Sequence, residues 1–273
     1  MARVTNQTEK MSENFSELVD KIVRQWRQAK NPVVFTGAGM STESGLPDFR
    51  SAKGLWKFKP EQLATLDALR RVPHEFYRFY QSRIAQSLEV SPNIGHTILA
   101  DLEKQGRIRT VITQNVDGLH QRAGSGSVIE LHGTLRTVSC LQCGTVVDSK
   151  TMLPASMTSE KYSNAGSYEY GKECECSRCG GLLRPDVILF GESLPEQAWQ
   201  DAVRASMNAD FFIALGSSLL VSPANYCPRL AVENGARLLI INNDPTPLDD
   251  IATWVIHKPI GAVLADIAKR LCM

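Results

Sequence analysis

One short stretch sets the terms for the rest of the chain. Val33-Val34-Phe35-Thr36 is a β-branched and aromatic run of strand length, the pattern of a strand buried on both faces of a parallel sheet. It breaks at once into Gly37-Ala38-Gly39. A glycine pair there lets the backbone turn tightly and approach a bound pyrophosphate, whose charge suits a following helix N-terminus. Met40 to Ser44 opens such a helix, and Gly45-Leu46-Pro47 stops it. Asp48-Phe49-Arg50 then puts an acid, an aromatic and a base on a loop, which packing alone explains poorly. The glycines by themselves do not specify a ligand. The dinucleotide fingerprint has a third glycine at the place of Thr42.

The same grammar recurs. Ile108–Thr113, Val128–Leu131, Val187–Phe190, Asp210–Leu215 and Arg237–Ile241 read as strands. Helical patterns cover Phe15–Lys30, most of Gly54 to Arg107, Glu196–Met207, Ala224–Asn234 and Ile260–Leu271, with Pro60, Pro73 and Pro92 in first-turn positions. Strands alternating with helices predict a doubly wound, mostly parallel α/β sheet, Rossmann-like in kind. Three strands end in small polar or glycine residues, at Thr36-Gly37, Gly216-Ser217 and Asn242. Ligands of such sheets sit beyond those carboxyl ends.

The seven cysteines change the picture between Thr134 and Leu183. Five of them lie between Cys140 and Cys179, in a chain with no secretory signal, which argues for metal over disulfides. Cys140-x-x-Cys143 and Cys176-x-x-Cys179, 32 residues apart, offer four thiolates in a tetrahedron. That closed set leaves no position for water, so the expected zinc is structural and a zinc hydrolase is disfavoured. Cys174 adds only a C-x-C spacing and stays outside the set.

Composition narrows the function. A formal net charge of +1 gives no general reason to bind nucleic acid or an anionic membrane. Residues 1–20 are polar, and the most apolar runs, around Phe211–Val221 and Leu238–Ile241, are too short to span a bilayer. A cytoplasmic monomer is expected.

Among the five histidines, His132 sits at a strand end just before the metal segment, where a cleft between two parts of the molecule belongs. An imidazole there suits a general base, although a lone histidine is more often structural. Gln114-Asn115-Val116-Asp117 follows a strand and suits ribose hydroxyls and a carboxamide, or else caps the next helix. Tyr80 and Arg83 share a helix face at i and i+3, as a polar pair or as a packed ring beside a solvated cation.

Taken together, GAGMSTESGLPDFRS, TQNVDGLHQRAG, ELHGTL, the two cysteine pairs, LRPDVILFGE, GSSLLVSP and IINNDPTP resemble the sirtuins, the NAD-dependent protein-lysine deacylases, over Pro32 to about Leu271. The resemblance implies a Rossmann-like domain with an inserted small zinc-binding and helical module. It implies a catalytic domain over 15–273, and the polar residues 1–14 before it are expected to form a flexible tail. The nucleotide-binding part is expected at 15–50, 90–133 and 184–273, the helical insertion at 51–89 and the zinc insertion at 134–183.

It also implies roles. His132 is the catalytic base, with Asn115 and Asp117 orienting the nicotinamide ribose and a water. NAD is expected on Gly37, Ala38, Gly39, Ser41, Asp48, Phe49 and Arg50, and on Gln114, Asn115, Val116 and Asp117. Its adenosine half falls to Gly216, Ser217, Ser218, Asn242, Asn243, Asp244 and Ile260. An acyl-lysine peptide would add as a strand along Ile188, Phe190, Gly191 and Glu192. Ala64, Tyr80 and Arg83 bear on the acyl group. A succinyl or malonyl chain ends in a carboxylate that arginine binds well, whereas acetyl has no use for it. The expected reaction releases nicotinamide and O-acyl-ADP-ribose. The alternatives are an NAD hydrolase or ADP-ribosyltransferase on the same pocket, and a zinc-ribbon binding module. A dehydrogenase fits less well, because Thr42 breaks the fingerprint.

Overall fold

The apolar runs pair side by side in the order their connections allow. A computed structural model describes residues 2–48, 60–154 and 171–272. In chain order it holds α1 (Ala2–Gln28), β1 (Pro32–Thr36), a 3-10 turn over Ala38–Ser44, α2 (Pro60–Leu63), α3 (Leu66–Arg71), α4 (Pro73–Glu89) and α5 (Ile94–Lys104). There follow β2 (Thr110–Thr113), α6 (Leu119–Ala123), β3 (Val128–Glu130), β4 (Gly133–Cys140), β5 (Val146–Asp148) and β6 (Leu183–Val187). The last third holds α7 (Glu196–Met207), β7 (Phe211–Leu215), α8 (Tyr226–Glu233), β8 (Arg237–Ile241), β9 (Trp254–Ile256) and α9 (Ile260–Leu271).

Six strands form one parallel sheet in the order β3-β2-β1-β7-β8-β9. The chain steps outward from β1 to β3, then returns to place β7 beside β1 and steps outward the other way. The strand order therefore reverses between β1 and β7, and a crevice opens at their carboxyl ends. Both faces of the sheet are covered. Val34, Val111 and Ile213 pack with Trp26, Leu99 and Leu264 of α1, α5 and α9. Their neighbours Val33, Phe35, Ile112 and Phe212 pack with Ala202 and Ala231 of α7 and α8. This is the period-two alternation of a strand, with both sides apolar because both are buried. Each such large side chain contributes about 1.5–3 kcal/mol when fully buried.

A second sheet, β5-β4-β6, is antiparallel. Its core is shared with the helices: Tyr77, Tyr80 and Ile84 of α4 pack with Val138, Cys140, Cys176 and Leu183. Tyr77 donates a hydrogen bond to the Leu183 carbonyl at 2.8 Å. The helical and metal-bearing segments are thus one packed module.

Several boundaries differ from expectation. Helix α1 starts at Ala2 rather than Phe15. The apolar stripe that periodicity detects marks where a helix packs, not where it starts. Val187–Phe190 is not a strand. The strand is β6, Leu183–Val187, and residues 188–190 leave its ladder. Pro92 precedes Asn93, the N-cap of α5, rather than opening that helix. No described helix is long and apolar enough to cross a membrane.

Candidate active site

The reversal point is built by backbone touching backbone. Gly37 N–H donates to Leu215 O at 3.0 Å and Gly39 N–H to Gly216 O at 2.8 Å. A Cβ on Gly37 would lie 2.8 Å from Gly216 O, and one on Gly216 would lie 2.4 Å from Met40 N. The glycines are required by this close approach, which leaves the half-buried Ala38 and Gly39 backbone at the mouth of the crevice.

The segment after β2 ties into that loop. Asn115 Nδ2 donates to Gly37 O at 3.0 Å and to Ser41 Oγ at 3.1 Å. Ser41 Oγ donates to Asp117 Oδ2 at 2.7 Å, and Asp117 Oδ1 accepts from Leu119 N at 2.9 Å. Both amide hydrogens of Asn115 are used, so among the described residues its Oδ1 is the group left for a ligand. Asp117 thus caps the turn before α6, one of the two readings of its sequence position, and is also tied to the glycine loop. Gln114 Nε2 donates to Ser217 Oγ at 2.8 Å, joining the ends of β2 and β7. Val116 O accepts from Leu135 N at 2.7 Å and so holds the start of β4.

His132 stands between β3 and β4, half-buried. Its Nδ1 lies 3.1 Å from Gln114 O. A carbonyl only accepts, so Nδ1 carries the proton and Nε2 keeps its lone pair. Among the described residues Nε2 has no hydrogen-bond partner. Burial lowers the imidazole below its ordinary 6.5, with the Gln114 bond pulling the other way. The following Gly133 has φ +74, and a Cβ there would lie 2.1 Å from Asp186 O.

Two further histidines lie behind the site, unmarked by any periodicity. Thr36 Oγ1 donates to Thr113 Oγ1 at 2.8 Å and so accepts from His120 Nε2 at 2.9 Å. The His96 ring sits edge-on to His120, centroids 4.8 Å apart. Burial holds His120 down to about 3, assisted by His96. It holds His96 down to about 4, against the nearby Asp117 charge.

The acyl and peptide candidates divide. Ala64 O accepts from Phe190 N at 2.8 Å, so these two meet. Ile188 N donates to His132 O at 2.9 Å, which joins that segment to the junction of β3 and β4. Phe190 is 47% exposed, and a Cβ on Gly191 would touch nothing within 4 Å, so this edge is open. Glu192 is occupied: its Oε2 takes Arg184 at 2.6 Å and Leu189 N at 2.8 Å. Burial works to raise that carboxyl, but these bonds hold it below its ordinary value. Tyr80 is 4% exposed, packed between Phe76 and Phe79, and burial raises its phenol well above the usual range. Arg83 instead lines a cleft with Leu46, Pro47, Gln86, Asp117 and Leu135. Burial lowers its guanidinium, against the attraction of Tyr80 and Asp117.

At the next strand end, Asn242 Nδ2 donates to Asp244 O at 2.7 Å, and its carbonyl takes His257 Nδ1 at 2.8 Å. Asn243 and Asp244 are exposed, Ser218 is half-buried, and Ile260 is buried at the start of α9. Asp48 is half-buried; Phe49 and Arg50 lie outside the described residues.

The four paired cysteines converge as their spacing predicted. Their sulfurs lie within 4.8 Å of one another, with Cys140 and Cys179 at 3.5 Å and Cys143 and Cys176 at 3.7 Å. Zinc–sulfur bonds of about 2.3 Å make a tetrahedron with edges of roughly 3.8 Å, so the set fits zinc. Cys174 is buried beside Gln81 and takes no part.

Known proteins share this arrangement. The chain is 51% identical over 253 residues to NAD-dependent protein deacetylase 1 of Geobacillus kaustophilus, covering 91% of this chain and 97% of that protein. An NAD-dependent protein deacetylase of Oceanobacillus iheyensis is 47% identical, covering 91% and 100%. A solved Sir2 alanine variant with deacetylated p53 peptide and 3'-O-acetyl ADP ribose superposes with TM-score 0.82 at 36% identity, covering 92% of this chain and 97% of that one. A Sir2 homologue in complex with NAD gives 0.82 at 35% identity, covering 93% of each chain. Residues 37–223 match the Sir2 family itself. From the glycine crevice to the four-cysteine knuckle, the chain belongs to the Sir2 family.

Proposed function

We propose that the chain is an NAD-dependent protein-lysine deacylase whose general base is His132. The observation that carries this is the commitment of His132 Nδ1 to Gln114 O, which leaves Nε2 as an acceptor at the junction of the two sheets. The residues at the reversal point suit NAD: a close-approach glycine loop, a free Asn115 Oδ1, and Ser41 and Asp117 linked beside it. NAD held there would supply an anomeric carbon for the acyl oxygen with nicotinamide as leaving group, and one water would be consumed in giving lysine, nicotinamide and O-acyl-ADP-ribose. His132 Nε2 accepts a ribose hydroxyl proton. Asn115 and Asp117 orient the nicotinamide ribose and a water, with Gln114 and Val116 shaping that pocket. Gly37, Ala38, Gly39 and Ser41 hold the phosphates; Asp48 and Arg50 are assigned to cofactor binding and Phe49 to shielding the sugar. Gly216, Ser217, Ser218, Asn242, Asn243, Asp244 and Ile260 hold the adenosine end.

The peptide lies along Ile188, Phe190 and Gly191, with Glu192 holding the turn through Arg184. Cys140, Cys143, Cys176 and Cys179 would hold one zinc ion, whose closed coordination fixes the antiparallel sheet and supplies no chemistry to the reaction. The acyl group is acetyl, or a succinyl or malonyl chain met by Arg83. The same reading places the nucleotide-binding part in 15–50, 90–133 and 184–273, and takes the enzyme as a cytoplasmic monomer.

The test is mass spectrometry of acetyl- and succinyl-lysine peptides incubated with the protein and NAD. O-acyl-ADP-ribose formed in step with deacylated peptide is expected. Nicotinamide released at the same rate without acyl peptide overturns the reading in favour of an NAD hydrolase.

A further inference from the structure

The last helix starts without a cap of its own. Its N-cap position is Pro259, which offers no side-chain acceptor, and its first turn holds no acidic residue. The first amides of such a helix need a partner from elsewhere. Glu43, on the glycine loop and far away in sequence, supplies it: Oε1 accepts from Gly261 N at 3.0 Å. A Cβ on Gly261 would lie 2.2 Å from Glu43 Oε2, so the two elements are in direct contact. The opposite side of the loop is held too. Asn93 Nδ2 donates to Met40 O at 2.8 Å, while Asn93 Oδ1 caps α5.

We propose that Glu43 is a positioning residue for cofactor binding, clamping the turn Ala38–Ser44 against the start of α9. Resting on the NAD pocket proposed above, the clamp fixes the distance between the loop at the pyrophosphate and Ile260 at the adenosine end. A cofactor that must touch both ends binds with less ordering cost when that distance is preset. Glu43 itself is exposed while Gly261 is buried, so solvent screening keeps the effect moderate.

The experiment measures ADP-ribose affinity, KM for NAD, KM for an acetyl-lysine peptide, kcat and Tm. In wild type, absence of ADP-ribose binding would sink the NAD pocket itself, separately from the clamp. In Glu43→Ala, KM for NAD and Kd for ADP-ribose are expected to rise about tenfold, with kcat and the peptide KM within about twofold. Glu43→Gln keeps an acceptor and recovers most of the affinity. The decisive variant adds Pro259→Asp to Glu43→Ala, which gives α9 a local cap. Recovery of Tm without recovery of NAD affinity supports the clamp. Recovery of both together shows that Glu43 serves helix stability only, and an unchanged KM for NAD in Glu43→Ala likewise overturns the proposal.

Discussion

His132 Nδ1 lies 3.1 Å from the backbone oxygen of Gln114, the residue that also bonds Ser217 across the crevice. One hydrogen bond therefore sets the tautomer of the proposed base and ties it to the end of β2. Removing the base with His132→Ala is expected to slow deacylation by about 10²–10⁴-fold while ADP-ribose still binds. Activity needs the neutral imidazole, and burial lowers its pKa below 6.5. The rate should accordingly rise with pH along a limb centred below 6.5 and be level by neutrality. A limb centred above 6.5, or a variant within a few-fold of wild type, removes His132 from this role.

The four-cysteine knuckle sits at the edge of the core that the helical segment shares, with Cys179 exposed. Cys140 and Cys176 are buried there with Tyr77, Tyr80 and Leu183. Binding energy in such a site is folding energy. Cys176→Ala should lose zinc by elemental analysis and lower Tm, and the loss should reach α4 because its ring cluster rests on the same sheet. Full retention of zinc would contradict the assignment. Cys174→Ala, outside the knuckle, should keep the metal.

Acid should destabilise the protein through His96 and His120. Their folded-state values lie at about 4 and about 3, whereas an unfolded imidazole titrates near 6.5. Above 6.5 both states are neutral and the pair contributes no pH dependence. Below 6.5 the unfolded chain binds protons that the folded protein refuses, so stability falls as pH drops from 6.5 toward 4. Among the described residues neither ring nitrogen of His96 has a hydrogen-bond partner. His96→Leu should flatten the acid slope of the urea midpoint by the equivalent of a single proton, while costing little at pH 7. An unchanged slope would assign the acid sensitivity to other groups.

What could be read in advance follows from which forces act locally. Val33–Thr36, Asp210–Leu215 and Arg237–Ile241 were legible because strands buried on both faces leave unbroken apolar runs. The four cysteines were legible because a metal fixes their spacing. Strand β4 was not, since only part of Gly-Thr-Leu-Arg-Thr-Val-Ser-Cys faces the core and the rest is polar. Strand β6 was misplaced because Pro185 interrupts it, tolerated there because β6 lies at the edge of its sheet. Buried His96 and His120 look like any histidine in sequence. The bond from Glu43 to Gly261 leaves no local trace, because its two ends are joined only by the fold.

In the reading proposed above, acyl choice turns on Arg83. Tyr80, one turn away on α4, is largely packed into the aromatic cluster, so the two candidates are unequal. Arg83 lines a cleft that also contains Asp117, the carboxylate beside the glycine loop, and the proposed reading would bring an acyl chain into that cleft. A succinyl carboxylate entering that cleft gives up its water and needs a cation in exchange. A guanidinium offers a planar fork for this, and a charged hydrogen bond is worth roughly 1.5–3 kcal/mol. Acetyl-lysine makes no such demand. Arg83→Met should therefore lower the ratio of kcat/KM for succinyl- over acetyl-peptide by about tenfold to a hundredfold, leaving acetyl turnover equal or improved. Tyr80→Phe should move the ratio the same way but by less, because its ring is held by packing whether or not the hydroxyl is present. If the ratio in Arg83→Met matches wild type, the cation serves Asp117 and the cleft wall alone, and the enzyme acts on neutral acyl groups.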